Sequence, residues 1–315
     1  MTTIAVTPRG FRQSPGRHQE LLAQAGYAVR YPTVERSLTA PELRELIVGC
    51  EGVILGVDDA PAEVLVGSDL RVIVRFGIGM DNVDLEAARA QGIKVSRTLG
   101  ATTTSVAELT IGLMLAAARG TSQMDRRVRA GSWTRLTGLE LAGRTLGLVG
   151  IGRIGLEVAH RARAFGMTVI AHDPVATPGD VPLMAFDELL ATSDVISIHA
   201  PLNEQTRHMF DTAALSAMKP SSILINTARG GIIDEDALAV ALVDGPLWAA
   251  ALDCFEHEPL QSSALLELSN VILTPHCGAS TEEAVERAGV IAVEEIVRAL
   301  VGEPLLYEVT ATQPR

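Results

Sequence analysis

Residues 146–157, LGLVGIGRIGLE, decide the fold of the middle of the chain. The apolar run TLGLV leads directly into a glycine-rich turn and then into the helical sequence RIGLEVAHRARAFG. Gly150, Gly152 and Gly155 give the spacing GxGxxG. In this pattern the first glycine permits a tight turn, the second lets the backbone approach a pyrophosphate, and the third lets the helix pack closely on the strand. Since free amides at the helix start then face the phosphates, the stretch predicts a dinucleotide-binding unit.

The carboxylate of Asp173 indicates which dinucleotide binds. Asp173 ends the next strand, MTVIAHD, 173 − 155 = 18 residues after Gly155, close to the ~20 residues expected for a carboxylate that binds the adenosine ribose. A 2′-phosphate there would meet negative charge, and residues 174–179 contain no Lys or Arg. These residues favour NAD over NADP. The alternative is an Asp that only caps the following turn.

Short β-rich runs alternate with helical segments on both sides of the glycine-rich turn. TIAVT, YAVRY, GVILG, RVIVRF and IKVS precede it, and MTVIAHD, DVISIHA, SSILINTA, LWAAALD and VILTPH follow it. Such alternation predicts parallel strands joined by crossover helices. We therefore expect an α/β fold with two doubly wound parallel-sheet domains. Residues 100–283 form the nucleotide-binding domain, which is inserted into a domain made of residues 1–99 and 284–315.

The charge and the chain start limit the classes of partner. The 26 Lys and Arg against 38 Asp and Glu give a formal charge of −12, which opposes binding to nucleic acid or an anionic membrane. The start, MTTIAVTPRGF, lacks a signal peptide pattern, and no apolar stretch reaches the ~20 residues of a membrane span. The three cysteines are far apart in sequence, so a disulfide framework is not expected. We expect a cytoplasmic protein with no nucleic-acid or membrane partner.

Two classes of dehydrogenase do not fit the sequence. None of the three tyrosines has a lysine four residues later, which excludes the short-chain type. Cys254, His257, His276 and Cys277 could be combined as zinc ligands. Adjacent ligands such as His276 and Cys277, however, rarely fit one tetrahedral site. We therefore expect no metal.

Three later segments, NTARGGIIDEDAL, ALDCFEHEPL and ILTPHCGAST, resemble the D-isomer-specific 2-hydroxyacid dehydrogenase family. The resemblance covers nearly the whole chain and includes VRFGIGMDNVDLEAA and TTSVAELTIGLMLAAAR. It implies a Rossmann NAD-binding domain inserted into a flavodoxin-like substrate domain that both chain ends build. The motifs VTPRGF, DNVDLEAA and VAELTIGLMLA look most like the phosphoglycerate dehydrogenase group of the family.

The family's catalytic Arg, Glu and His match Arg229, Glu258 and His276. The planar guanidinium of Arg229 suits the carboxylate and carbonyl of a 2-oxo acid. His276 can exchange one proton near neutral pH, and Glu258 would fix its tautomer and favour the protonated ring. His276 would donate a proton to the carbonyl oxygen in reduction and accept it in oxidation, while hydride moves from or to the nicotinamide. Taken singly, each residue also fits a structural role.

The resemblance also implies the residues that bind substrate and cofactor. Gly77, Ile78 and Gly79 would hold the substrate carboxylate by their amides, together with Arg229 and His276, and Ile78 would also contact the cofactor. The remaining cofactor residues are Gly150, Gly152, Arg153, Ile154, Gly155, Asp173, Ala200, Pro201, Thr206, Thr227, Ala228, Arg229, Asp253, His276 and Gly278.

The substrate is the least constrained part of the prediction. After GVILG the phosphoglycerate group commonly has a basic residue for the phosphate, whereas this chain has Val57, Asp58 and Asp59. We hypothesise that Arg9 and Arg12, in the loop after the first strand, compensate for the acidic pair. Three functions remain open, and we favour the first: interconversion of a D-3-phosphoglycerate-like D-2-hydroxy acid and its 2-oxo acid. The others are a glyoxylate or hydroxypyruvate reductase, and a non-enzymatic NAD(H)-sensing module that binds a partner.

The segment of residues 101–119, ATTTSVAELTIGLMLAAAR, predicts a long helix that is apolar on more than one face and therefore buried. Together with Trp133 it indicates a homodimer interface, as in the family. Cys254 and Cys277 stand where the family more often has aliphatic residues, and we expect both to pack against their neighbours.

Overall fold

The protein is described by a computed structural model that covers residues 1–177 and 179–309. The chain divides into two compact units. We call Met1–Thr102 with the chain from Ala279 onward the terminal domain, and Thr103–Gly278 the inserted domain. Each is a parallel sheet covered by helices, so the predicted fold class is confirmed. The division falls a few residues from the boundaries expected from sequence.

The terminal domain contains a five-stranded sheet in the order β2-β1-β3-β4-β5, with every pair parallel. This is the flavodoxin order. Its strands are β1 Thr3–Val6, β2 Ala28–Arg30, β3 Gly52–Leu55, β4 Val72–Arg75 and β5 Lys94–Arg97. The helices between them are α1 Arg9–Gln13, α2 Arg17–Ala25, α3 Ala40–Leu46, α4 Ala62–Leu65 and α5 Leu85–Ala90. Strands β3 and β4 are buried throughout, because helices cover both faces of the sheet.

The inserted domain contains a six-stranded parallel sheet in the order β11-β10-β9-β8-β6-β7. Its strands are β6 Thr145–Val149, β7 Thr168–His172, β8 Val195–Ile198, β9 Ser222–Asn226, β10 Leu247–Leu252 and β11 Val271–Leu273. The α-helices are α6 Thr103–Arg119, α7 Thr121–Arg129, α8 Arg153–Ala164, α9 Phe186–Thr192, α10 Thr212–Ala217 and α11 Glu235–Val243. Short 3-10 helices lie at Gly230–Ile232 and Ala264–Glu267. Because all strands are parallel, the loops that follow them meet at one edge of the sheet.

The predicted long helix over residues 101–119 is α6, and it is buried within the inserted domain. Ala107, Met114 and Ala118 on α6 are fully buried, and α6 packs against α8 and strands β9, β10 and β11. The same core includes strand residues of β6. Helix α6 therefore forms part of the hydrophobic core on one face of this sheet.

The last helix, α12 (Glu282–Val301), belongs to the terminal domain. It packs against α2 and strands β3 and β4. Gly289 permits this close packing, since a Cβ there would lie 2.5 Å from Cγ of the buried His18. Helix α12 thus completes the hydrophobic core that covers strands β1, β3 and β4. None of the helices in the described parts of the chain combines the length and apolar character needed to cross a membrane.

Candidate active site

Two of the three fingerprint glycines are required by packing, and the third borders open space. Gly150 has φ +94°, and a Cβ on it would lie 2.8 Å from the carbonyl oxygen of His199 and the amide nitrogen of Ala200. A Cβ on Gly155 would lie 2.4 Å from the carbonyl oxygen of Gly150. A Cβ on Gly152 would meet no heavy atom within 4 Å. The space beside Gly152 fits the close backbone approach of a pyrophosphate.

Helix α8 begins at this turn and presents its first amides there. Its first internal hydrogen bond runs from the amide of Leu156 to the carbonyl of Gly152 at 3.0 Å. Amides before that point have no partner within the helix. They carry the positive end of the helix dipole, which suits an anionic group. The residues present therefore fit a bound dinucleotide.

Asp173 connects the glycine-rich turn to the turn after β7. One carboxylate oxygen accepts a hydrogen bond from the amide of Ile151 at 2.9 Å. The other oxygen accepts from the amides of Val175 and Ala176 at 3.0 and 3.1 Å. The turn-capping role considered from sequence is therefore present. Each carboxylate oxygen can accept about two hydrogen bonds, so capacity remains for a ribose hydroxyl.

Glu258 and His276 form a hydrogen-bonded pair, which is an ion pair when the imidazole is protonated. Nδ1 of His276 lies 2.8 Å from Oε2 of Glu258, and these side chains are 36% and 37% exposed. Oε1 of Glu258 accepts from the amide of Phe255 at 3.0 Å. Burial raises the pKa of Glu258, but the hydrogen bond and charge of His276, the amide of Phe255 and the charge of Arg229 together outweigh it, so the net shift is downward. The pairing leaves Nε2 of His276 as the ring nitrogen that can exchange a proton with a bound acid.

The loop that carries His276 is fixed by Asp253, which is 1% exposed. Its Oδ1 accepts from the hydroxyl of Thr274 at 2.6 Å and from the amide of Cys277 at 2.9 Å. Its Oδ2 accepts from the amide of Gly278 at 2.8 Å. His276 itself has φ +49°, a conformation that costs a non-glycine residue roughly 1–3 kcal/mol. The bonds to Asp253 on both sides of His276 hold the loop in that conformation.

Arg229 follows β9 at the same edge of the sheet. The buried side chain of Asn226 donates to the carbonyl of Arg229 at 2.8 Å and accepts from the amide of Ala228 at 3.0 Å. The guanidinium donates to the carbonyl of Ala228 at 2.8 Å. It lies near enough to Glu258 to help lower the pKa of that carboxyl. The inserted domain thus brings together the guanidinium, carboxylate and imidazole of Arg229, Glu258 and His276.

Comparison with known proteins identifies the family. Residues 111–278 match the sequence model of the D-isomer specific 2-hydroxyacid dehydrogenase, NAD binding domain. The chain belongs to the D-isomer specific 2-hydroxyacid dehydrogenase family. The resemblance seen in the sequence is therefore confirmed, and so is NAD as the cofactor.

Relatives of this dehydrogenase family differ in the acid they act on. The chain is 48% identical to a hydroxypyruvate reductase of Thermotoga maritima over 241 residues, covering 74% of this chain and 79% of that one. It is 45% identical to a D-3-phosphoglycerate dehydrogenase of Methanocaldococcus jannaschii over 280 residues, covering 86% of this chain and 53% of that one. The match thus spans about half of that phosphoglycerate dehydrogenase. The TT0316 protein from Thermus thermophilus is similar in structure, with a TM-score of 0.90, 38% identity and coverage of 98% and 100%.

Apart from Ile78, the other expected cofactor residues of this dehydrogenase also lie in loops or first turns after strands of the inserted sheet. Arg153 and Ile154 begin α8. The loop after β8 is shaped by Thr206, whose hydroxyl donates to the carbonyl of Pro201 at 2.7 Å. After β9, the hydroxyl of Thr227 lies 2.9 Å from that of Thr110 on α6. Ala200, Ala228 and Gly278 occupy the same set of loops.

Three residues that position this site were not identified from sequence. Asn226 follows the three apolar residues of the strand sequence SILIN, and that polar ending was the available signal. Thr274 donates to the buried Asp253. Gly230 is required because a Cβ there would lie 1.8 Å from the carbonyl carbon of Phe255, a contact between loops that no local pattern reveals.

The expected substrate loop, residues 77–79, follows β4 in the terminal domain. Gly77 has φ +148°, and a Cβ on it would lie 2.4 Å from Nη1 of Arg75. Its carbonyl accepts from the amide of Thr98 at 3.1 Å. Ile78 and Gly79 are half-buried. The conformation of this loop therefore depends on glycine at position 77.

The structure bears on two assumptions made from the sequence: that Asp58 opposes a phosphate and that Arg12 is available to bind one. Asp58 is 5% exposed, accepts a hydrogen bond from the hydroxyl of Thr7, and accepts from the amide of Leu38 at 2.7 Å. Arg12 forms an ion pair with Glu35 at 2.9 Å. Asp58 is therefore a structural acceptor, and the guanidinium of Arg12 already has a carboxylate partner.

Proposed function

We propose that this chain is an NAD-dependent oxidoreductase that interconverts a small D-2-hydroxy acid and its 2-oxo acid. The observation that carries the proposal is the pairing of His276 with Glu258 at 2.8 Å beside Arg229. This group follows the strands of a sheet whose first turn fits a dinucleotide. Family membership supports the same activity.

Each of these residues has a separate task in the proposed reaction. Arg229 binds the carboxylate and polarises the carbonyl of the 2-oxo acid through its planar guanidinium. His276 donates the proton to the carbonyl oxygen in reduction and removes it in oxidation. Glu258 holds the imidazole through Nδ1 and stabilises its charged form. NAD supplies the hydride chemistry when bound.

The proposed binding residues follow the sequence assignment. In the inserted domain, Asp173 binds the adenosine ribose, and the turn from Gly150 to Gly155 with the start of α8 binds the pyrophosphate. Asp253, already bound to the loop of residues 274–278, lies by the nicotinamide end. In the terminal domain, the amides of residues 77–79 bind the substrate carboxylate, and Ile78 also contacts the cofactor.

We propose a three-carbon acid of the hydroxypyruvate type as substrate, with or without a phosphoryl group. The relatives include both a hydroxypyruvate reductase and a D-3-phosphoglycerate dehydrogenase. The Arg12–Glu35 pair favours the unphosphorylated acid, because the guanidinium of Arg12 already has a carboxylate partner. The exposed ion pair itself is worth no more than ~1 kcal/mol, so a bound phosphate would compete for Arg12.

The test is the rate of NADH oxidation by the purified protein with hydroxypyruvate, 3-phosphohydroxypyruvate, glyoxylate and pyruvate. We expect turnover of at least one acid, and a higher kcat/KM for hydroxypyruvate than for its phosphorylated form. A preference for the phosphorylated acid that is lost in Arg9→Ala and Arg12→Ala would restore the phosphoglycerate assignment. NADH binding without turnover of any of these acids would overturn the proposal in favour of a sensing module.

We further propose a cytoplasmic homodimer. Trp133, in the segment after α7, is 83% exposed. The inserted domain also has a pocket of about 200 Å³ whose lining includes Ala116, Gly120, Leu136, Trp248 and Ile272. A second copy would cover these apolar groups. All three cysteines, which lie in the described part of the chain, are thiols, and this supports a reducing compartment. Sedimentation at micromolar concentration should give a dimer, and Trp133→Ala should weaken it.

A further inference from the structure

Cys254 lies beside the pair formed by Glu258 and His276. Its Sγ, a carboxylate oxygen of Glu258 and a ring nitrogen of His276 all lie within 4.8 Å of one another. Within residues 1–177 and 179–309, this is the one group of three or more His, Cys, Asp or Glu ligands that meets this distance. Cys254 is 2% exposed, whereas the other two side chains are about one-third exposed. The group is therefore anchored on one side and open on the other.

The donor atoms match a borderline-soft divalent cation. A thiolate, a carboxylate and a neutral imidazole are ligands that zinc accepts, and their summed charge of −2 neutralises a dication. In a tetrahedral zinc site the ligand atoms lie roughly 3.3–3.8 Å apart. Reaching those distances needs movement of only about 1 Å, which rotation of the exposed Glu258 and His276 side chains provides.

We propose that Cys254, Glu258 and His276 form an inhibitory site for a zinc-class divalent cation, with water in the fourth position. The cation displaces the thiol proton of Cys254 and, when His276 is protonated, one proton of its imidazolium ring; these protons leave to solvent with part of the hydration shell of the metal. No electron is transferred. The metal occupies a nitrogen lone pair of His276 and a carboxylate oxygen of Glu258, so the pair can no longer exchange a proton with the 2-oxo acid.

Two contacts limit the affinity of this site. The thiol of Cys254 donates to the carbonyl of Ala228 at 3.4 Å, a bond that is lost when the thiol is deprotonated. The guanidinium of Arg229 lies near Glu258 and repels a dication. We therefore expect reversible binding that is weaker than in structural zinc sites. Magnesium and calcium should not bind, because both prefer oxygen ligands.

Cobalt(II) titration of the reduced protein without NAD tests the site directly. Cobalt replaces zinc in such sites and reports a thiolate ligand by a near-ultraviolet charge-transfer absorption. We expect this absorption in the wild type, its loss in Cys254→Val, and its retention in the matched control Cys277→Ser. Valine keeps a small apolar side chain at the buried position. Glu258→Gln provides a second variant and should weaken cobalt binding at least tenfold. Charge-transfer absorption retained in Cys254→Val, or absent from the wild type at saturating cobalt, would overturn the proposal.

Zinc inhibition gives the functional readout and rests on the proposed oxidoreductase activity. With each protein referred to its own rate without metal, zinc should inhibit Cys254→Val at least tenfold less strongly than the wild type, and EDTA should restore the rate. Equal zinc sensitivity of the two proteins would contradict the site. If no acid is turned over at all, the proposed function fails, but the cobalt absorption still decides whether the metal site exists.

Discussion

The strand order reverses at corresponding positions in the two sheets of this protein, but different residues occupy the two reversal points. In the terminal domain the order reverses between β1 and β3, and in the inserted domain it reverses between β6 and β8. At the first reversal, the hydroxyl of Thr7 bonds to Asp58 and accepts from the amide of Gly56 at 2.8 Å. At the second, Gly150 packs against the loop after β8, and the space beside Gly152 is open.

Ligands of doubly wound sheets bind at such reversal points, but the topology only supplies the position. Buried hydrogen bonds between side chains occupy the reversal point of the terminal domain. Glycines leave that of the inserted domain accessible to a pyrophosphate. A few residues after the strands therefore decide which sheet binds the dinucleotide.

The largest expected effect concerns two glycines of one turn. In Gly155→Ala the new Cβ lies 2.4 Å from the carbonyl oxygen of Gly150, so we expect a stability loss of about 2–4 kcal/mol. In Gly152→Ala the Cβ meets no protein atom, so stability should stay unchanged while the Kd for NADH rises ~10–100-fold. Thermal unfolding and NADH titration measure the two effects. Loss of stability in Gly152→Ala would contradict the conclusion that the space beside Gly152 is open.

The strands, the helices and the glycine-rich turn could be predicted from the sequence, whereas the contacts between distant residues could not. The GxGxxG spacing and the strand and helix alternation are local patterns, and both sheets were expected. The burial of Asp58 was not expected, because its partners Thr7 and Leu38 lie 51 and 20 residues away in sequence. The same reason applies to Gly230, whose requirement for glycine comes from a loop that follows a different strand.

The proposed catalytic group shows the same difference between local patterns and contacts. Arg229, Glu258 and His276 were predicted from family motifs rather than from their spacing. What the motifs did not show is how the site is held: Asn226 fixes Arg229, and Asp253 fixes the loop of His276. Nor did they show that Cys254 lies within ligand distance of the Glu258–His276 pair. Such contacts depend on packing at the sheet edge.

Acid should weaken the inserted domain through His199, which follows β8 next to Gly150. Burial lowers the pKa of His199 from 6.5 to about 4. Because the folded pKa is depressed, its contribution to stability is fully present above about pH 6.5 and is lost as the pH falls toward 4. The loss is at most about 3 kcal/mol, since the residue is half-buried. We expect the free energy of unfolding, measured with urea, to fall less between pH 7 and pH 4 in His199→Gln than in the wild type. An equal fall in the two proteins would contradict this assignment.

The hydrogen bonds of Thr7 and Asp58 at the reversal point of the terminal domain should contribute to stability and not to cofactor binding. Asp58→Ala leaves the amide of Leu38 and the hydroxyl of Thr7 without their acceptor, so we expect a loss of about 1–3 kcal/mol. The exposed neighbour Asp59 gives the control, and Asp59→Ala should be neutral. The Kd for NADH should be unchanged in both variants. A higher Kd for NADH in a folded Asp58→Ala variant would contradict binding of the cofactor by the inserted domain alone.

The smallest expected effect is on the choice between NAD and NADP. Asp173→Asn removes the negative charge that opposes a 2′-phosphate, so the preference for NAD should fall about tenfold, which corresponds to ~1.4 kcal/mol. Asp180→Asn, an exposed change in the same loop, is the control. Competition between the two cofactors in the rate assay measures the preference, and an unchanged ratio would leave Asp173 with its turn-capping role alone.

The role of His276 as proton donor is tested by the turnover of His276→Ala, measured together with its affinity for NADH. The inserted domain is proposed to bind the dinucleotide through its first turn and to move the proton through His276. We therefore expect kcat to fall by about 10²–10⁴-fold while the Kd for NADH changes by less than ~10-fold. Turnover within about threefold of the wild type would contradict the assignment of His276 as the proton donor.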